Sequence, residues 1–577
     1  MLMLGVLAIL LYANTLRHGF VLDDDTVLVR NQYVQEGWSG LKAIFTHDSF
    51  AGFERVGEGN SLLTGGRYRP LSLGMFAILY AFFGLHPFVF HLFSVLVYAL
   101  TGVLLYRVLL LVLKNVKYFE EISFVTAALF ILHPLHTEVV ANVKSVDEIL
   151  ALFFGLLAMH QFFQAYDSSR PLPAWLASLW IWLACLAKEN AITFLVILPL
   201  GLWFFRNANI WQVVRNALPL AIGVGVFLMM RESALGGQAG GTIMHDPLNN
   251  PFMVWNGQQW EACAPVAKWA TIIYTFGRCV ALLVVPYPLT HDYYPFHILL
   301  QSFSQPWVWV SLIILLLAGG YALWSLNKRH ACGFGIIVFL LTWMVTSNIF
   351  FPVGTFMAER FLFLPSLGFI LTISILVTPI AIKRQWIFGV LLLIGVLFSM
   401  LTIRRNPAWK DNETLMMTDI QRSTNSARLQ NALGTHLLEK ARSATDARQQ
   451  QEGLHQALPH LRKAIELHPT YYDALLAYGA CTFYVSQFDT SVASYRRASN
   501  IYPGDPSARV GLVYALRAYG EDQWTKKDTS GAVQSLEEAW TLQPDSLTAV
   551  RLSGYYLAMG QSDKSRQWRD QSHGKTR

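Results

Sequence analysis

Charge is scarce in this sequence: Asp, Glu, Lys and Arg together make up 14% of 577 residues, while 54% are apolar. A soluble domain carries about 25% charged residues, so this balance points to lipid. Cysteine is scarce too. Cys185, Cys263, Cys279, Cys332 and Cys481 lie scattered, mostly inside apolar runs. Their spacing excludes a disulfide framework and a cysteine metal site, and leaves small buried hydrophobes. No P-loop, serine nucleophile elbow or dinucleotide fingerprint stands in a suitable setting, which argues against a nucleotide-driven pump. The net charge of +7 is modest; it fits basic cytoplasmic loops and asks for no nucleic-acid partner. The opening stretch, residues 1–16, lacks a basic leader and a small-residue cleavage site, so it reads as a first membrane span.

Long apolar runs are present in number. A helix needs about 20 apolar residues to cross hydrocarbon. Candidate spans are 1–16, 87–113, 122–134, 146–166, 173–187, 190–206, 211–230, 269–286, 306–326, 332–352, 363–382 and 386–403. Basic residues set their sidedness. With the N-terminus in the cytoplasm, Arg107, Lys114, Lys117, Arg170, Arg206 and Arg215 fall inside, and 17–86 falls outside with the segment that starts at 231. Lys328, Arg329, Lys383 and Arg384 also fall inside, provided one earlier candidate fails to cross. Segment 269–286 is the one expected to fail, because Arg278 interrupts it and a mid-span Arg facing lipid costs on the order of 3 kcal/mol or more. The outward stretch then runs over 231–305, the chain makes about 11 crossings, and its C-terminal domain lies outside the cytoplasm.

From Arg404 onward the composition turns polar with helical periodicity. Ala464, Ala498 and Ala539 each stand five residues before a proline, Pro469, Pro503 and Pro544, and Ala457, Ser491 and Ala532 stand twelve before. The first proline step is 34 residues; the second is longer, with an insertion around Asp522–Thr529. This is the pattern of TPR repeats, in which small residues let paired helices approach and proline closes each pair. Stacked pairs form a solenoid with a concave groove whose usual role is to bind protein. The expected fold is therefore all-α: a polytopic membrane domain over 1–403 and a TPR solenoid over 404–577.

Polar clusters stand out against this apolar background. Asp23, Asp24 and Asp25 follow the first span directly. They read either as a solvated helix end or as a general base at the membrane surface. The second cluster contains His133, His136, Glu138, Lys144, Asp147 and Glu148. Its carboxylates suit the start of a helix equally well, and its histidines lack metal-ligand spacing logic. Lys188-Glu-Asn190, His291-Asp-Tyr-Tyr294 and Met357-Ala-Glu-Arg-Phe361 are further polar islands. Ionisable residues at membrane depth are functional hypotheses by default, with structural ion pairs as the alternative. Arg69, Lys144, Arg278 and Arg360 map near the outer face, where such cations can hold a lipid-linked phosphate; a counter-charge from Glu359 or Asp292 is the plainer reading of Arg278.

Taken in order, these residues resemble the transmembrane-and-TPR-containing protein O-mannosyltransferases and their bacterial relatives, of the GT-C glycosyltransferase fold. The resemblance runs through Asp23-Asp24, Tyr68-Arg-Pro-Leu71, Phe90-His91, His133-Pro134, His136-Thr-Glu138, Asn142-Val-Lys-Ser145 with Asp147-Glu148, Lys188-Glu-Asn190, Asp246-Pro247 with Asn250-Pro251, Asp292-Tyr293 and Ala358-Glu-Arg-Phe361. The sequence departs at Val146, where the animal proteins typically carry Arg. The resemblance implies an integral-membrane enzyme that moves a mannose-like sugar from a polyprenyl-phosphate donor to a hydroxyl of a protein acceptor. It implies Asp23 or Asp24 as base; His136, Glu138, Lys144, Asp147 and Glu148 as a second cluster; Arg69, Lys188, Arg278 and Arg360 on the donor phosphate; and His91, Asp292, Tyr293 and Glu359 on substrate. No cofactor or metal is expected. The expected partners are membrane lipid, the lipid-linked sugar and a protein acceptor bound by the TPRs. Two rivals remain: a membrane polysaccharide polymerase or ligase using lipid-diphosphate substrates, and a non-catalytic scaffold that displays TPRs.

Overall fold

The computed structural model describes residues 1–54, 66–236 and 248–573. Among them the one sheet is a hairpin of Met253–Trp255 with Trp260–Ala262; helices make up the rest of the regular structure. Contacts divide the chain into two units, Met1–Tyr293 with Ile298–Arg422, and Tyr294–His297 with Ser423–Arg577. The first unit therefore runs past residue 403 to Arg422. Arg405 grips buried Asp419 through two hydrogen bonds of 2.5 and 2.8 Å, and Trp409 is fully buried beside Val21 and Leu415. These contacts hold the polar stretch against the first unit.

Seven helices of the described residues are long and apolar enough to cross a membrane: Pro87–Val112, Val143–Ser168, Ile210–Leu235, Pro265–Val284, Pro306–Lys328, Glu359–Lys383 and Trp386–Trp409. Leu2–Arg17, Leu172–Ala187, Glu189–Phe205 and Ala331–Thr346 are apolar but shorter. Another short apolar helix, Pro70–Phe83, lies inside the stretch read from sequence as an outward loop. Leu316, Leu317, Leu392 and Leu393 are more than half exposed, as lipid-facing side chains must be when the surrounding solvent is hydrocarbon.

Breaks in these helices create the site. Pro134 has no N–H and clashes with a continuing helix, so Phe119–Leu132 and Pro134–Ala141 meet at a bend of 52°. Lys188, in extended conformation, separates Pro171–Ala187 from Glu189–Thr193, and Ala358 precedes Glu359–Leu362 in the same way. Arg278 does not break its helix, which is continuous over Pro265–Val284. Its length would permit a crossing, yet Leu283 near its end accepts a hydrogen bond from His133 at 3.0 Å. At the other end, Cys263 bonds back to Phe252, whose ring packs on Phe356.

The second unit is a row of antiparallel helix pairs: Ala427–Ser443 with Ala447–Leu467, Tyr472–Tyr484 with Phe488–Ile501, Pro506–Thr525 with Thr529–Leu542, and Ser546–Ala558 with Ser562–His573. Leu467, Ile501 and Leu542 end their helices two residues before Pro469, Pro503 and Pro544, because the residue preceding a proline is driven out of the helical region. The repeat insertion lengthens a helix rather than a loop: Pro506–Thr525 has 20 residues where Tyr472–Tyr484 and Ser546–Ala558 have 13. Ala457, Ala464, Ala498, Ala532 and Ala539 are fully buried.

Within the first unit, Ala331–Thr346 and Phe363–Lys383 approach closely at Gly335 and Gly368. A Cβ on Gly368 would lie 2.4 Å from the backbone N of Phe339 and 2.5 Å from the Gly335 carbonyl, so neither neighbour can yield without moving a helix. Gly368→Ala should lower the stability of the detergent-solubilised protein by about 1–3 kcal/mol, seen as a lower thermal midpoint. Gly389→Ala, where a Cβ meets nothing within 4 Å, is the control; equal midpoints for the two variants would contradict the close crossing.

Candidate active site

The first outward turn presents two adjacent carboxylates in different states. Asp24 is fully buried and accepts two backbone hydrogen bonds, from Val21 N–H at 2.9 Å and Lys144 N–H at 2.7 Å. Burial pushes its pKa up to about 7 against the pull of those donors. Asp24 thus staples the 21–24 turn to the 143–145 turn. Asp23 keeps 48% of its side chain exposed and sits 3.5 Å from the Lys144 ammonium, itself 8% exposed. Its burial alone would raise its pKa, but Lys144, then Arg360 and Arg67, outweigh that and hold it at about 2. Asp23 is therefore an ionised, reachable carboxylate facing a cluster of cations.

Those cations are delivered by the helix breaks. Arg69 donates to Asp147 at 2.8 Å. Lys188 reaches the other Asp147 oxygen at 3.4 Å and Glu148 at 2.5 Å, and Asn190 donates to Glu148 at 3.2 Å. Arg360 binds Glu138 through both its backbone N–H, at 3.0 Å, and its guanidinium, at 2.6 Å. The loop entering helix Pro70–Phe83 is clamped by Asp48 and Ser49. Asp48 accepts from the N–H groups of Phe50, Gly66 and Arg67 at 2.7–2.9 Å, and the Ser49 hydroxyl accepts from Arg69 N–H at 2.9 Å. Arg67, Arg69, Ser72, Phe50, Lys144 and Asp147 line one cleft. Among the described residues no three His, Cys, Asp or Glu side chains converge on a metal position.

Over most of its length this sequence is similar to the protein O-mannosyl-transferases. The human relative TMTC1 is 26% identical over 526 residues, covering 82% of this chain and 55% of the relative. Human TMTC4 is 24% identical over 486 residues (76% and 64%), and F38B6.6 of Caenorhabditis elegans is 25% identical over 440 (75% and 59%). The chain spans little more than half the length of these curated relatives. No family model matches the sequence. A solved chain titled MamA MSR-1 C2 aligns with 28% of this chain at 14% identity and a TM-score of 0.21, too low to bear on the architecture.

Seen against the residues that carry the resemblance to O-mannosyl-transferases, the structure sorts them into two sets. Nine of them form three bonded groups: Asp23 and Asp24 with Lys144, Arg69 and Lys188 with Asp147 and Glu148, and Arg360 with Glu138. Lys188, read from sequence as a phosphate ligand, is only 7% exposed and is spent on Asp147 and Glu148. His136 lies fully buried between the Tyr98 hydroxyl and the Ser366 hydroxyl, each at 2.9 Å, so it is a pillar rather than a surface for substrate. His91 is buried against the Gly19 carbonyl at 3.1 Å and supports the turn that leads to Asp23. Glu359 is buried on Tyr293 OH at 2.8 Å and Thr290 N–H at 2.5 Å, and Asp292, beside Tyr293, is half-buried. Arg278 is exposed on Pro265–Val284 and does not line the cleft. Asp246 and Pro247 lie outside the described residues.

Two features carry no sequence signal of their own. Arg67, next to the Tyr68-Arg-Pro-Leu71 motif, reads as an ordinary surface cation until the Asp48 clamp places it in the cleft. Asp419 looked like part of a soluble repeat, yet it is buried with Arg405 and His291. Burial alone would raise its pKa; hydrogen bonds from Arg405 and His291 hold it well below the carboxylate range.

Lys188→Met keeps the volume and removes the charge. Asp147 retains Arg69 but Glu148 loses its ammonium, so the variant should lose about 3–5 kcal/mol of stability. Poor expression and a depressed thermal midpoint would show it. An unchanged midpoint would mean that Lys188 is free for a ligand instead.

Proposed function

We propose that this chain is a membrane glycosyltransferase that transfers a mannose-like sugar from a polyprenyl-phosphate donor to a hydroxyl of a protein acceptor, with Asp23 as general base. The observation that carries this reading is the divergence of the two carboxylates: Asp24 is consumed by backbone donors, while Asp23 is ionised, reachable and beside Lys144. The similarity to protein O-mannosyl-transferases supplies the reaction class. In the proposed step the acceptor hydroxyl gives its proton to Asp23 as its oxygen attacks the anomeric carbon; the sugar–phosphate bond breaks and the lipid phosphate leaves with the electron pair. Nearby cations stabilise the charge developing on that phosphate.

Asp23→Asn should lower turnover by roughly 10²–10⁴-fold with little change in thermal midpoint, since the side chain is half exposed. Asp24→Asn should instead destabilise the protein by about 1–3 kcal/mol, because an amide cannot accept from both backbone donors. Wild-type turnover in Asp23→Asn would remove Asp23 from the role of base.

The chain beyond its last apolar helix is proposed to lie outside the cytoplasm, and two hydrogen bonds within the first unit support an outward exit: Gly19 N–H donates to the Lys410 carbonyl and Leu22 N–H to Asn412 Oδ1, both at 2.8 Å. The chain thus leaves its last apolar helix beside the turn that carries Asp23, which requires an odd number of crossings from the N-terminus. The His133 and Phe356 contacts at the two ends of Pro265–Val284 fit a helix lying along the outer boundary. A reporter that fluoresces only in the cytoplasm, fused after Arg577, should stay dark; a bright fusion would refute this sidedness.

A further inference from the structure

Among the described residues every cation of the cleft but one has a carboxylate mate. Arg69 and Lys188 meet Asp147 and Glu148; Arg360 meets Glu138; Lys144 meets Asp23; Arg231, at the rim, meets Glu189. Arg67 has no such mate. Among the described residues its guanidinium forms no ion pair, and it lies over the Phe50 ring at 5.3 Å. Its backbone, by contrast, is fixed on both sides: its N–H donates to Asp48 at 2.9 Å, and its carbonyl accepts from Ser49 N–H at 2.9 Å. The residue is exposed, held in place, and shares the cleft with Arg69 and Lys144.

An unneutralised guanidinium held among other cations raises the local potential. Arg69 and Arg360 surround Arg67 with like charge, and Asp23 and Glu189 oppose them. An incoming anion relieves that strain. Guanidinium forks bind phosphate oxygens bidentately, and a ring lying under the guanidinium keeps its plane oriented for the purpose.

We propose that Arg67 is the direct ligand of the donor's phosphate, because it is the cation of the cleft with no carboxylate mate among the described residues. Arg69 and Arg360 act as positioning residues, because each already shares its charge with a carboxylate. This inference rests on the glycosyltransferase reading above.

The test uses the full chain in lipid nanodiscs. Binding is measured for polyprenyl phosphomannose, the polyprenyl phosphate alone and inorganic phosphate. Wild-type protein should bind the phosphodiester lipid, with inorganic phosphate far weaker; equal binding of inorganic phosphate would assign the site to free phosphate and overturn the proposal. Arg67→Gln should weaken binding of the phosphodiester lipid tenfold or more and lower kcat/KM at least as much, while the thermal midpoint stays near wild type. Arg67→Lys should recover part of the loss. In the pH profile of kcat/KM, Arg67→Gln should move the acid limb upward, since Asp23 loses one of the cations that hold its pKa down, the others being Lys144 and Arg360, with Asp24 beside it. Unchanged donor affinity in Arg67→Gln, in a protein that still transfers sugar, overturns the role of Arg67 and leaves the enzyme reading intact. A wild-type protein that binds none of the lipids overturns both.

Discussion

Asp147 accepts Arg69 on one oxygen and Lys188 on the other, at the mouth of a bundle whose outer surface faces hydrocarbon. A charge withdrawn from water there costs several kcal/mol unless it is paired and hydrogen-bonded. That requirement organises the rest of the unit. Residues 67–69, 144–148, 188–190 and 359–360 come from parts of the chain far apart in sequence, and each would be intolerable alone. They meet because only together do most of their charges find partners. The helices stop where these charges occur: Pro134 forces one break, and extended residues at Lys188 and Ala358 make the others. Irregular backbone at membrane depth is stable only where protein or a cavity satisfies its polar groups, and here the same side chains that need partners supply them.

The paired charges leave two groups at their edge that are not fully used up. Asp23 keeps half of its side chain open, and Arg67 keeps its charge. A base needs access to its proton donor, and a phosphate ligand needs an unspent cation. The groups with the most burial and the most partners, Asp24, His136, Lys188 and Glu359, are the scaffold that fixes those two in place. Burial and access pull in opposite directions at such a site: the residues that make it rigid are the ones least able to touch a substrate.

The repeat unit follows a different physics. Its helices are polar outside and join through alanine, glycine and serine faces, so stability comes from close approach rather than from charge pairing. A Cβ on Gly511 would stand 2.2 Å from the Tyr495 ring, and one on Gly479 would stand 2.9 Å from the same ring. Tyr495 fills the space that both glycines leave, which ties one helix pair to the next. Ser491 completes the contact by donating to the Gly479 carbonyl at 2.7 Å.

Periodicity and composition determined the helical character of both halves, because a 20-residue apolar run and a 34-residue spacing of alanine and proline each allow few solutions. The polar islands were equally visible in the sequence, since an ionisable side chain in an apolar chain has no neutral background to hide in. Their division of labour was not. Asp23 and Asp24 are the same residue type at neighbouring positions, and only the backbone N–H groups of Val21 and Lys144 tell them apart. Lys188 and Arg67 are both cations, and only the carboxylates brought up from residues 147 and 148 decide that one is spent while the other has no mate among the described residues. Helix pattern is a property of near neighbours along the chain, so the sequence carries it whole. The use of a charge depends on which distant charges the fold sets beside it, and that was settled by tertiary structure alone.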